Sequence, residues 1–206
     1  MYSILIIEDD SSYRSIMETI LQKEGFIVRS ACDGKSGLAM LHENPPDLVL
    51  CDIKMPAVDG HMVLETLRKA PATAGIPLIF ISAMGDRVDI RRGMSEGADD
   101  YLPKPFSAEE LIAAVTGRIR RHASIKVQQE ITTLQQERAL LRDRITRRER
   151  EVLLMVGRGA TSREIASQLA VTLKTVEVHR ANLMRKLGAT NAASLARWAV
   201  IAEIAG

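Results

Sequence analysis

A chain of 206 residues is long enough for two small domains with separate cores, and 46% hydrophobic with 26% charged residues is the balance of a soluble globular protein. No apolar run approaches the ~20 residues of a membrane helix, and 3% aromatics exclude stacking platforms for single-stranded nucleic acid. The net charge of +2 conceals a division: residues 1–117 carry −7 and residues 118–206 carry +9, an acidic half suited to a cation and a basic half suited to a polyanion such as DNA.

Ile4-Leu5-Ile6-Ile7 is a short continuous apolar run, the pattern of a strand buried on both faces. Helical patterning follows over residues 12–24 and stops at Gly25; residues 26–28 form a second strand. Asp33-Gly34 turns into a helix reaching about residue 42, which Pro45-Pro46 closes. A third strand over 48–51, a helix over 61–69, a fourth strand over 77–81, a helix over 88–95 and a fifth strand over 100–102 complete the alternation, and another helix opens at Ser107. Five strands alternating with five helices predict an α/β domain, a doubly wound five-stranded parallel sheet whose ligands bind at the carboxyl ends of the strands.

Between residues 107 and 145 there is no proline and only Gly117, so the last helix is expected to run on into a long helical linker, roughly 58 Å in all at 1.5 Å per residue. Val127, Ile131, Leu134, Arg138, Leu141 and Ile145 recur at alternating spacings of four and three. This is a heptad seam, interrupted by Arg138, along which two copies can pair; the alternative is one helix packed on its own domains. The remainder reads as a small all-α domain. Thr146-Arg147-Arg148-Glu149 and Thr161-Ser162-Arg163-Glu164 are capping boxes, and Gly157 and Gly159 end the first of its helices. Thr172 caps a helix to about residue 187, Gly188 ends it, and Asn191 caps a last helix to about residue 205. The expected domains are therefore 1–122 and 146–206, joined by a linker over 123–145.

Four strand ends carry chemistry. Glu8 and Asp9 follow the first strand, Asp52 ends the third, Ser82 ends the fourth and Lys104 follows the fifth. Three carboxylates crowded together repel unless a cation intervenes, and hard oxygen ligands favour Mg²⁺ over Zn²⁺. A carboxylate can attack a phosphoryl group to form an acyl phosphate, and that transfer needs charge neutralisation more than acid–base work. Mg²⁺ on Glu8 and Asp9, the Lys104 ammonium and the Ser82 hydroxyl would supply it, with Asp52 as the nucleophile. Asp10 either faces solvent or caps the following helix.

The ordered set Glu8-Asp9, Asp52-Ile53-Lys54-Met55-Pro56, Ser82-Ala83, Tyr101 and Lys104-Pro105-Phe106 resembles the response-regulator receiver domain over about residues 1–122. The resemblance implies Asp52 as the phosphorylated residue and Mg²⁺ held by Glu8, Asp9, Asp52 and the backbone carbonyl of Lys54. It also implies Ser82 and Tyr101 as a switch pair, a cis Lys104–Pro105 peptide, and an influence of Met84 on phosphoryl lifetime. Plain packing is the alternative role for Tyr101.

Residues 161–187 read as helix, turn, helix, with the turn at Ala170-Val171-Thr172. Ile165, Ala166 and Leu169 face inward from the first helix, and Val176, Leu183 and Leu187 from the second. Arg163-Glu164-Ile165-Ala166 and Thr175-Val176-Glu177-Val178-His179-Arg180-Ala181-Asn182-Leu183-Met184-Arg185-Lys186-Leu187, with Thr146 to Leu153 before them, resemble the LuxR-type helix-turn-helix of NarL/FixJ regulators. This implies Glu177, Val178 and Arg180 near bases and Lys174, Thr175 and Lys186 near phosphates. Glu177 departs from the lysine of many members; a carboxylate repels phosphate but accepts from cytosine N4. His179 can instead pack beneath the helix, and Asn182 can bond internally. The last helix either pairs with its copy or closes the core.

Together the two resemblances imply a two-component response regulator, not an enzyme. A sensor histidine kinase would phosphorylate Asp52, and the change would alter binding to double-stranded DNA at promoter half-sites. A homodimer is expected through the linker helix or through the fifth strand and its flanking helices, with RNA polymerase as a further partner and no membrane. Cys32 and Cys51 lack metal-ligand spacing and the start of the chain lacks a signal-peptide pattern, so a cytoplasmic setting is expected. Activation by dimerisation and inhibition by a masked recognition helix both fit. The rival readings are a phosphorylation-independent dimeric DNA-binding transcription factor, a phosphatase of small acyl phosphates, and a sigma-factor-like promoter reader.

Overall fold

The computed structural model describes residues 1–83 and 87–204, the side chains of residues 87–90 excepted. It divides into two units, Met1–Ile125 and Lys126–Gly206. In the first, the predicted alternation is present: β1 Ser3–Ile7, α1 Ser11–Lys23, β2 Ile27–Ala31, α2 Gly34–Glu43, β3 Leu48–Asp52, α3 Gly60–Lys69, β4 Leu78–Ala83, α4 Arg87–Ser95, β5 Asp100–Lys104, and the start of α5 Ala108–Arg144. The strands pair in parallel in the order β2-β1-β3-β4-β5. Alternate residues of one strand go to opposite faces. Leu5, Ile7, Val49, Cys51 and Phe80 pack with Leu64 and Leu67 of α3, while Ile4, Ile6, Leu48, Leu50, Ile79 and Ile81 pack with Met17 of α1 and Leu111 and Val115 of α5. Helices on both faces are why these strands read as unbroken apolar runs.

Three strands extend beyond their apolar runs. β2 was expected over 26–28 but reaches Ala31, because an edge strand needs only its backbone ladder: Leu5 pairs Arg29 and Ile6 pairs Ser30. The Arg29 guanidinium turns to the carbonyls of Met40 and Asn44. β4 and β5 continue to Ala83 and Lys104, which carries Ser82 and Lys104 to the carboxyl edge of the sheet. Met84 lies outside the described residues.

A histidine occupies one core position. His61, 5% exposed at the start of α3, tilts against Phe80 with ring centroids 5.4 Å apart, and its Nδ1 lies 2.9 Å from Glu96 Oε2. Its Nε2 is buried without a hydrogen-bond partner among the described residues, and Nδ1 is the ring nitrogen that meets Glu96. The pair ties α3 to the residue that follows α4.

The second unit holds the rest of α5, then α6 Arg147–Gly157, α7 Ser162–Gln168, α8 Leu173–Leu187 and α9 Ala192–Ile204. Both capping boxes form: Thr146 with Glu149, and Thr161 with Glu164. Thr172 caps α8, Gly188 ends it at φ +65°, and Asn191 Oδ1 accepts from Ser194 N at 2.8 Å. The turn between α7 and α8 places Ala170 at φ +51°. Gly157 does more than end a helix: a Cβ there would stand 2.4 Å from Ala199 Cβ, so its bareness lets α6 lie against α9. Val152, Leu153, Ile165, Val176, Leu183, Leu187, Leu195 and Ala199 form the core, and Leu141 of α5 is buried among them.

The heptad seam therefore splits. Leu141 is 2% exposed and Ile145 packs on the core of its own unit, whereas Val127, Ile131 and Leu134 are 53%, 43% and 39% exposed. The far end of the last helix, expected to reach residue 205, lies outside the described residues. Among the described residues no helix is long and apolar enough to cross a membrane.

Candidate functional site

Strand order builds the acidic site. β1 lies between β2 and β3, so the connections leaving β1 and β3 part in opposite directions and open a crevice at their carboxyl ends. Ile7 pairs Cys51, which sets the next residues, Glu8 and Asp52, side by side; Asp52 pairs Ile81, Ser82 pairs Pro103 and Ala83 pairs Lys104. Oxygens of Glu8, Asp9 and Asp52 lie within 4.8 Å of one another. Glu8 and Asp52 are buried, Asp9 is exposed, and Ser82 is buried at the adjacent strand end.

Each oxygen of Asp52 has a partner. Lys104 Nζ donates to Oδ1 at 2.7 Å and the Lys54 amide donates to Oδ2 at 2.7 Å. Lys104 Nζ also donates to both oxygens of Glu8, at 2.9 and 2.7 Å, and stands 4.6 Å over the Tyr13 ring. The Lys104–Pro105 peptide is cis. Burial pushes the Glu8 carboxyl above its ordinary value; Lys104 offsets this in part and the Asp52 charge adds to it. Burial works to lower the Lys104 amine, but its hydrogen bonds and charge contacts with Asp52 and Glu8 outweigh burial and hold it raised. Burial pushes the Cys51 thiol well up, with the charge of Asp52 adding, which keeps it from acting as a competing nucleophile.

Asp10 fills both roles open to it: it is exposed, and its Oδ1 caps α1 by accepting from Ser12 N at 2.7 Å and Tyr13 N at 3.2 Å. Tyr101 is half-buried against the core, and its hydroxyl lies 3.4 Å from the carbonyls of both Ser82 and Ala83. Three contributors escaped the sequence reading. Tyr13 faces the lysine, Arg14 Nη1 holds the Glu8 carbonyl at 2.7 Å, and Gly60 backs the site. Only Gly60 carried a signal, the Asp59-Gly60 turn dipeptide. A Cβ on Gly60 would fall 2.4 Å from the Asp52 carbonyl oxygen and 3.0 Å from Ile53 Cα. Gly60→Ala is therefore expected to cost about 1–3 kcal/mol in urea denaturation and to slow phosphorylation of Asp52. Gly117→Ala, where an added Cβ meets nothing, is the control.

On α8, Lys174, Glu177 and Val178 are exposed while Thr175, His179, Arg180 and Asn182 are half-buried. Thr175 Oγ1 lies 2.8 Å from Thr172 Oγ1 within the cap, and Asn182 Oδ1 accepts from Arg185 at 3.3 Å. Lys186 Nζ donates to Glu149 Oε2 at 2.7 Å. Burial works to raise the Glu149 carboxyl, but hydrogen bonds from Lys186 and Thr146 outweigh it and hold it below its ordinary 4.5. The stability it contributes is fully present above pH 4.5 and is lost as the pH falls through the depressed native value. Glu149→Gln should flatten that acid limb, read by urea titrations that follow the fluorescence of Trp198, the single tryptophan.

Residues 4–116 match the family described as response regulator receiver domain, and residues 143–199 match the bacterial regulatory proteins of the luxR family. The chain belongs to the response regulator family. This regulator is 32% identical over 205 residues to the probable transcriptional regulator ycf29 of Porphyra purpurea, covering 97% of this chain and 95% of that one. It is 39% identical over 130 residues to the probable transcriptional regulator ycf27 of Guillardia theta, and 40% over 121 residues to the DNA-binding dual master transcriptional regulator RpaA of Synechocystis. These two alignments cover 63% and 59% of the regulator and 50% of each relative, so it spans about half their length. A crystal structure of full-length FixJ from B. japonicum aligns with a TM-score of 0.56 at 27% identity, covering 98% of both chains. The regulator is thus of the NarL/FixJ type, a receiver followed by a LuxR-type helix-turn-helix.

Proposed function

We propose that this regulator is the output protein of a two-component system, in which a sensor histidine kinase phosphorylates Asp52 and thereby changes binding of the second unit to double-stranded DNA. The observation that carries the reading is Asp52 itself: it is 6% exposed, its carboxylate is held from both sides by Lys104 and the Lys54 amide, and it is flanked by two further acids. An Asp52 oxygen attacks phosphorus, the P–N bond to the kinase imidazole breaks with its electron pair returning to nitrogen, and an acyl phosphate forms. Lys104 neutralises part of the charge on the transferred oxygens, and the Ser82 hydroxyl donates to one of them.

One lysine against three carboxylates leaves an excess of negative charge on an all-oxygen donor set, which fits Mg²⁺. Glu8, Asp9, Asp52 and the Lys54 carbonyl would hold it, and it would supply the remaining neutralisation. Ser82 and Tyr101 act as the switch pair: a phosphoryl oxygen that draws the Ser82 hydroxyl shifts the strand-end carbonyls from which the Tyr101 hydroxyl takes its position.

The DNA surface is the outer face of α8, with exposed Glu177 and Val178 and half-buried Arg180 towards bases, and exposed Lys174 and half-buried Thr175 towards phosphates. The three exposed seam residues support pairing of two copies along α5, which would present two recognition helices to paired half-sites of a promoter. RNA polymerase is the machinery such a transcription factor acts on. Two free cysteines, Cys51 buried and Cys32 exposed, support a reducing, cytoplasmic setting. The test is affinity for duplex selected by the regulator from a random-sequence pool, measured with and without acetyl phosphate. A change in affinity that Asp52→Asn removes is expected. Equal affinity for wild type and variant under both conditions would favour the phosphorylation-independent reading.

A further inference from the structure

We infer that Lys186 does not contact DNA but, paired with Glu149, is a positioning residue that sets the tilt of the recognition helix; this rests on the DNA-binding reading of α8. The Glu149 side chain is 4% exposed and that of Lys186 29%. One oxygen, Glu149 Oε2, accepts both from the Thr146 amide at 2.8 Å and from Lys186 Nζ at 2.7 Å. To reach a phosphate, Nζ would have to abandon a buried carboxylate, and a screened surface contact does not compensate for an uncompensated buried charge.

The position of Lys186 along the helix agrees. The readers lie in the first half of α8, towards its Thr172 cap, and Lys186 lies beside Leu187, the last residue of α8, roughly 9–14 Å beyond them along the axis. A restraint at that end, opposite the cap, fixes orientation, so a small tilt there is carried to Glu177, Val178 and Arg180. The same carboxylate closes the capping box of α6, whose cap Thr146 follows directly on Ile145 at the exit of α5. Glu149 therefore joins the recognition helix to the residues that connect α5 with α6 inside the second unit.

Full-length protein titrated with the selected duplex across a salt series separates the two roles. A phosphate contact contributes about 0.9 to the slope of log affinity against log salt. Glutamine keeps the capping box while removing the charge. Lys186→Met and Glu149→Gln are each expected to weaken binding about tenfold, with the double variant no weaker than either and the slope unchanged. Lys186→Arg should restore affinity, and Trp198 fluorescence should give a folded baseline for each variant. A Lys186→Met slope reduced by about 0.9, with Glu149→Gln binding like wild type, overturns the inference. If the wild-type protein selects no duplex at all, the DNA-binding reading falls, and this inference with it.

Discussion

Asp52→Asn is expected to abolish phosphorylation. Incubated with acetyl phosphate and Mg²⁺, wild-type protein should gain the mass of one phosphoryl group, mapped to Asp52, and the variant none. The expectation follows from the geometry. Cys51 is buried with its thiol pushed well up, and Glu8 is buried with both oxygens on Lys104. Asp9 is exposed, without the lysine and amide contacts that aim Asp52. An amide is nearly isosteric and can still accept through its oxygen, so the fold should survive. Removing one of three crowded charges should leave the melting temperature equal or higher, which separates loss of the nucleophile from loss of structure. Labelling of the variant to the wild-type extent would place the reactive group elsewhere.

Lys104→Met is expected to destabilise the first unit strongly. Lys104 has only 13% side-chain exposure and bridges Glu8 at 1% and Asp52 at 9%. Removing it leaves two buried carboxylates facing each other, and breaking a buried pair costs about 3–5 kcal/mol. The sign with pH is fixed by the lysine. Its amine is held above the ordinary 10.5, so the stability it contributes is complete below that value and is lost as the pH rises through the raised native one. The gap between wild type and variant should therefore be wide at neutral pH. It should close in strong alkali, where the lysine discharges, and also in acid, where the carboxylates protonate. Urea denaturation followed by circular dichroism at several pH values measures it; a gap under about 1 kcal/mol at pH 7 would reduce Lys104 to a surface-like contact.

Polar side chains at core and groove positions were the hardest to anticipate. His61 lies where the periodicity of α3 calls for an apolar residue, and only its contact with Glu96, which lies beyond α4, accounts for it. Lys186 looked like one more cation on a basic helix, and nothing near it in the chain identifies Glu149 as its partner. The heptad spacing, broken in residue type only at Arg138, runs through Ile145, yet Leu141 and Ile145 are taken into the core of the second unit and only its first half stays exposed. In each case the deciding contact spans tens of residues.

What the amino-acid order determined alone was everything carried by local periodicity and caps: the five parallel strands, the long α5, both capping boxes, the helix-turn-helix, and the succession of acids, serine and lysine at strand ends. These follow from backbone geometry and burial pattern, whose range is a few residues. Tertiary structure alone decided the partners: Lys104 between Glu8 and Asp52, Tyr13 beneath the lysine, Gly60 against the Asp52 carbonyl, and Lys186 on Glu149. The physical reason is that a charge placed in a low-dielectric interior must find an opposite charge wherever the packed elements bring one, and that location depends on sheet order and helix packing rather than on chain neighbours.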